Sequence, residues 1–285
     1  MSQRLRLLIL VTPPLLWLIV TIIIPLAGMV LFSFRLDSFK PDAGYGLDSY
    51  VEFFTDPRYI RLMGQTGVTS AWVAALSVLL AYPVAYFLAF RSGRWKLTLI
   101  ALMIVPAWTS YLLRILSWKV MLGSGGLLAS LLELVGMDAS SLPLLLYSPQ
   151  AVVITLVYVW IPFAALPIFV TLDRIDARLF EAAGDLGATP LRTFLRVTLP
   201  LSLPGLLASF LYVFIPTFGD WVTPLLVGGA QGGILYGNII QSQYTRALNW
   251  PMGSVLSLAL LVLVVLIMAI YGRISGALLS RSAET

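Results

Sequence analysis

The 285 residues are 59% hydrophobic and 11% charged, about half the charged share of an ordinary soluble domain, which excludes a globule solvated by water. Lys and Arg outnumber Asp and Glu by 18 to 13, a net +5 that in a membrane protein reports orientation rather than a nucleic-acid partner. With no cysteine and no histidine, disulfides, thiolate chemistry, the commonest zinc ligands and the commonest proton relay are all excluded.

In chain order, Arg4 and Arg6 precede a charge-free run from Leu7 to Phe34. It is too long for a signal h-region and lacks a clear small-residue cleavage site, so it reads as a retained first helix. Further charge-free windows recur, and a helix of about 20 residues crosses a hydrocarbon core of about 30 Å. Six spans are predicted, at about 8–34, 66–90, 97–117, 150–172, 197–219 and 251–272. The segment SSLPLLLYSPQ before the fourth is expected to be a loop or a short interfacial piece, with Pro143 and Pro149 marking where the span begins. No internal repeat, low-complexity tract or linker divides the chain, so residues 1–285 read as a single all-α transmembrane domain. Prolines inside the spans are tolerated in membrane helices; Pro216, in FIPTFGDW beside Gly219 and a charge, is the one that also suits a kinked helix lining a pathway.

Six spans put both termini on one side. That side carries eleven basic residues (Arg4, Arg6, Arg91, Arg94, Lys96, Arg174, Arg178, Arg192, Arg196, Arg273 and Arg281) against seven on the other, where Asp37, Asp42, Asp48, Glu52 and Asp56 also lie. Both termini, the turn RSGRWK and the loop 173–196 are therefore expected in the cytoplasm.

That loop reads as two short helices at an angle. Asp176 caps the first; Leu179, Ala183 and Leu186 fall at i, i+4 and i+7 on one apolar face, with Arg178, Glu181 and Asp185 mainly elsewhere. Gly187 supplies a left-handed stop, and Thr189 with Pro190 restarts a helix, PLRTFLRV, that runs towards the fifth span. The residues alone allow either a lever for a soluble partner or an interfacial helix on lipid headgroups.

The spacing Glu181, Ala182, Ala183, three residues, Gly187, nine residues, then Val197, Thr198, Leu199 and Pro200 resembles the EAA loop of bacterial ABC importer permeases. Val197 stands where that pattern has isoleucine. The resemblance implies a type I ABC importer permease fold, six transmembrane helices with a cytoplasmic coupling helix. It implies that Leu179, Glu181, Ala182, Ala183, Leu186 and Gly187 seat a cytoplasmic ATPase dimer, Glu181 through a polar contact and Gly187 through the turn. A second similar permease subunit, a periplasmic substrate-binding protein and the inner membrane complete the expected assembly. No G-x-x-x-x-G-K-[ST] phosphate loop occurs, so no cofactor is expected in this chain; ATP and Mg belong to the ATPase.

The segments PAWTSYLLRILSWKVMLGSGGLL, LLYSPQAVVITLVYVWIPFAALPIFVTLDRID, FIPTFGDWVTPLLVGG and NWPMGS are similar to spermidine/putrescine permeases. Related permeases carry opines, amino-acid derivatives or oxyanions. Asp220, between Phe218 and Trp221 at the outer end of the fifth span, suits a hydrated ammonium, and it equally suits a helix cap in the headgroup zone. Trp108, Tyr111 and Tyr158 are further path candidates that an aromatic belt also explains. Arg114 is expected to snorkel or to pair with an acid, and an anionic substrate would favour it over Asp220. An ion-coupled secondary transporter normally carries intramembrane carboxylates, histidines or broken helices near the midplane, and an enzyme needs a nucleophile with a base; neither pattern is evident.

Overall fold

The computed structural model describes residues 3–40, 42–136, 146–229 and 233–283, without the side chains of 3–9 and 274–283. Among the described residues there is no strand, only an isolated bridge between Arg35 and Tyr45. The helices are α1 (Gln3–Leu18), α2 (Ile24–Ser33), α3 (Asp48–Thr55), α4 (Pro57–Phe90), α5 (Lys96–Ile104), α6 (Tyr111–Leu122), α7 (Leu127–Leu134) and α8 (Pro149–Leu172). They continue with α9 (Ala177–Asp185), α10 (Pro190–Thr193), α11 (Leu199–Phe218), α12 (Tyr236–Thr245) and α13 (Trp250–Ala283). Six stretches are long and apolar enough to cross a membrane: Leu10–Ser33, Pro57–Phe90, Tyr111–Leu134, Pro149–Leu172, Pro190–Phe218 and Trp250–Arg273.

The first, fourth and sixth stretches lie close to expectation; the other three differ for local reasons. α4 begins at Pro57, nine residues before the predicted start at 66, because Asp56 accepts the Arg58 backbone N–H at 2.9 Å and Pro57 is preset for a first turn. The third span was expected as one helix over 97–117. It is broken: Pro106 sits in a 3₁₀ turn, Val105–Trp108, and Thr109 is extended (ψ 152°) before α6 begins. The fifth stretch starts at Pro190 rather than 197, since a π turn over Phe194–Thr198 joins α10 to α11 without a break. The predicted loop or interfacial segment at 140–150 lies outside the described residues up to 145; Ser148 then caps α8 by accepting the Ala151 N–H at 3.0 Å. Arg4, Arg6 and Arg281, used to read orientation, also lie outside the described side chains.

The chain divides into two compact units. One comprises the described residues of Met1–Arg61 and Ile239–Ile267. There the Trp250 ring packs on Phe32, Phe39 and Tyr244 at 5.6, 5.9 and 6.4 Å, while the Ser38 hydroxyl donates to the Leu248 carbonyl at 2.7 Å and accepts the Trp250 N–H at 2.9 Å. In the loop that follows the first span, backbone N–H groups of Phe39 and Lys40 hold the Asp37 carboxyl below its usual range.

The other unit comprises the described residues of Leu62–Asn238 and Met268–Thr285. Its core joins Val73, Ala81 and Leu88 of α4 to Leu156, Ile168 and Leu172 of α8 and Val213 of α11. Helices α8 and α11 are in close approach. Ser209 donates across them to the Ala164 carbonyl at 2.7 Å, and a Cβ on Gly205 would stand 2.8 Å from the Pro167 carbonyl oxygen and collide with the Thr171 hydroxyl. Gly205→Val is therefore expected to force the helices apart at about 1–3 kcal/mol, read as a lowered unfolding temperature of the detergent-solubilised chain.

Candidate functional site

Two places in the second unit carry the predicted functional residues. The first is the hairpin formed by α9 and α10. Asp176 accepts the Arg178 N–H at 2.9 Å and starts α9. At the other end Gly187 has φ +73°. Its N–H reaches the Gly184 carbonyl at 2.8 Å and the Ala188 N–H reaches the Ala183 carbonyl at 2.9 Å, the paired bonds of a Schellman stop. Thr189 then accepts the Arg192 N–H at 3.4 Å and Pro190 opens α10. The expected cap, stop and restart are all present.

Leu186 is 87% exposed, and Leu179, Glu181 and Ala182 are exposed with it, while Ala183 is half-buried. The apolar edge predicted at Leu179 and Leu186 is thus left largely uncovered by its own chain. What holds the hairpin is a set of aromatic side chains that the periodicity did not single out. Phe180 packs edge-on against Phe90 at 5.3 Å; Phe90 meets Tyr86 at 4.9 Å; Phe194 meets Tyr86 at 6.2 Å and Tyr82 at 5.8 Å. Tyr82, Tyr86 and Phe90 are i, i+4 and i+8 on α4, one face of that helix. Each such pair contributes about 0.5–1.5 kcal/mol beyond buried area. The Tyr82 hydroxyl also lies 3.1 Å from that of Ser202 on α11. Lys96 pairs with Asp173 at 2.5 Å, both about one-third exposed, and for such a surface pair Asp173→Ala is expected to cost under about 1 kcal/mol in thermal unfolding.

The second place is Asp220, which is 9% exposed. Its Oδ1 accepts the Val222 N–H at 3.0 Å and the Thr223 N–H at 3.5 Å, so it caps the turn that runs into the π segment Pro224–Gly228. Its Oδ2 accepts the Tyr111 hydroxyl at 2.8 Å, and the Tyr111 oxygen lies 2.8 Å from Thr223 Oγ1. Since the single phenolic proton goes to the carboxylate, the Thr223 hydroxyl is the donor in that last bond.

Tyr111 is therefore the ring brought to the carboxylate. Phe218, 2% exposed, is turned onto Phe214 and Tyr236 at 5.9 and 6.0 Å, and Trp221 is exposed, its carbonyl accepting from Asn238 at 2.8 Å. Tyr158 packs on Trp118 at 5.2 Å, and Trp108 stands exposed beside the break at Thr109. Arg114 joins no ion pair among the described residues. Its guanidinium lies 5.9 Å from the Tyr111 ring and its buried Nε has no hydrogen-bond partner. Sequence reasoning offered the cap at Asp220 but missed Thr223 and the Tyr111 link, since the Tyr111 hydroxyl comes from a distant helix. Three cavities of about 510, 500 and 340 Å³ have predominantly apolar linings, and Asp220 borders none of the three.

Residues 81–281 match the family described as the inner membrane component of binding-protein-dependent transport systems. The chain belongs to that family. As a permease it is 34% identical over 271 residues to the spermidine/putrescine transport system permease protein PotB of Escherichia coli strain K12, covering 94% of this chain and 97% of that one. It is 30% identical to the inner membrane ABC transporter permease protein YdcU of the same strain, over 78% of this chain and 74% of that one. In fold it is similar to a chain of a bacterial alginate ABC transporter in complex with alginate pentasaccharide-bound periplasmic protein, with a TM-score of 0.76 and 16% identity across 94% of this permease and 93% of that chain.

Proposed function

We propose that this permease moves polyamines of the spermidine and putrescine class into the cytoplasm as part of an ATP-driven importer. The observation that carries the substrate class is the near full-length likeness to spermidine/putrescine permeases at 34% identity. The coupling reading rests on the hairpin: an amphipathic helix with a rigid stop, its apolar edge exposed at Leu179 and Leu186 and fixed at its base to a long membrane helix.

In this reading both termini and α9 are cytoplasmic, because basic residues concentrate on that side. Leu179, Glu181, Ala182, Ala183, Leu186 and Gly187 form the seat for an ATPase dimer that binds ATP and Mg. A second similar permease shares the path and a periplasmic binding protein delivers the solute. Closure of the ATPases draws the coupling helices together and opens the path outward; hydrolysis resets it. Asp220 supplies negative charge near the outer mouth, its carboxylate fixed by the Tyr111 hydroxyl and the Val222 N–H, and that charge draws in an arriving ammonium.

The chain has no cysteine, so Leu186→Cys introduces a unique thiol at the exposed edge. It is expected to cross-link to a cysteine placed in the ATPase cleft; no cross-link from any exposed position of α9 would remove the seat. A second reading, import of an oxyanion, is favoured by the unpaired buried Nε of Arg114. Uptake of radiolabelled spermidine against radiolabelled sulfate separates the two.

A further inference from the structure

We propose that Phe180 is the positioning residue that makes the coupling hairpin and the end of α4 one mechanical body. The inference rests on the coupling reading above and goes beyond it, since that reading places Phe180 in no role.

The hairpin has two arms, α9 before the Gly187 turn and α10 with its π turn after it. Each arm sends one aromatic ring to the same face of α4: Phe180 to Phe90, and Phe194 to Tyr86 and Tyr82. The second arm is also covalently continuous with α11 through that π turn. A displaced Phe194 therefore still leaves its arm attached to a membrane helix. The first arm has no such continuity into α4; it reaches α4 through the Phe180 ring, and its other end leads back to α8. A force applied to the exposed edge of α9 thus has a direct side-chain route into α4, the Phe180–Phe90 contact, beside the chain route through α8, whose Leu172 shares a core with Leu88. The wider i→i+5 turn at Phe194–Thr198, a form recurrent at functional sites, lies within the second arm and carries it into α11. Phe180 acts through Phe90 and not on solute or ATP.

The test is spin-label distance measurement in the assembled transporter, its partner chains freed of cysteine. Leu80→Cys on α4 and Leu186→Cys at the C-cap of α9 are both exposed positions in a chain without natural cysteine. One narrow distance distribution is expected, with the same mean in the nucleotide-free and vanadate-trapped states. Phe180→Ala is expected to raise the detached population about 2- to 12-fold, the loss of one aromatic pair, seen as a broadened distribution and fewer solute molecules moved per ATP; Phe180→Trp restores both. A Phe180→Ala distribution identical to wild type overturns the proposal, as does a wild-type mean that shifts between the two states. The Leu186→Cys cross-link, scored in parallel unlabelled preparations whose ATPase carries one cysteine placed in its cleft, reads the seat separately. If it forms while the distributions are unchanged, the mechanical link alone falls; if it never forms, the coupling reading falls.

Discussion

Gly187→Val is expected to cut solute moved per ATP hydrolysed at least about tenfold, whereas Gly187→Asn retains most of it. The backbone at 187 has φ +73°, where a β-branched residue is strained by roughly 1–2 kcal/mol and asparagine much less. Both hydrogen bonds of the stop depend on that conformation, one from Gly187 and one from Ala188. If valine is to be accommodated, α9 must unwind or run on, and either outcome moves Leu186, the most exposed apolar residue of the edge, away from its place. The amounts of inserted protein are expected to match, because the turn lies outside the membrane core. Proteoliposomes in which uptake and phosphate release are measured together give the ratio. An unchanged ratio for valine would mean that the turn has no part in coupling.

Asp220→Asn is the second large effect, and its value lies in what it preserves. The asparagine Oδ1 still accepts from Val222 and Thr223, and the Nδ2 that replaces Oδ2 donates to the Tyr111 oxygen while the Tyr111 hydroxyl turns to donate to Thr223 Oγ1, so the cap survives and the charge is lost. Uptake of spermidine is expected to fall about tenfold or more, since one charge contact at a partly desolvated site is worth roughly 1.5–3 kcal/mol. Asp220→Ala removes the cap as well, leaving the Val222 N–H without its acceptor and the Tyr111 hydroxyl with Thr223 alone, which adds about 1–3 kcal/mol of instability. Loss of uptake in both variants, with only the alanine chain unfolding at lower temperature, separates charge from structure. Full spermidine uptake by the asparagine variant would leave Asp220 as a cap alone.

The features legible in the sequence were those set by neighbours along the chain. Asp176, Gly187 and the pair Thr189–Pro190 announce a cap, a stop and a restart through their own hydrogen-bonding and dihedral preferences, and the structure places them so. Charge-free windows found the spans but misjudged ends where helix and hydrophobicity part company. Arg58 and Arg61 closed the second window, yet α4 simply continues through them from Pro57. In the third, unbroken hydrophobicity concealed the break at Thr109, which Pro106 had signalled. Phe180 was passed over because it lies one residue from the amphipathic edge; its role depends on Phe90, ninety positions earlier, and no periodicity reports that. The environment of Asp220 was half legible. The cap is local, whereas the Tyr111 hydroxyl arrives from 109 residues away.

The measurement that tests the account most directly is uptake into proteoliposomes holding this permease, its partner permease and the ATPase, with the binding protein outside. Radiolabelled spermidine is expected to accumulate only when ATP is enclosed, to stop with vanadate, and to ignore collapse of the proton and sodium gradients. Accumulation without ATP that follows an ion gradient would contradict the account.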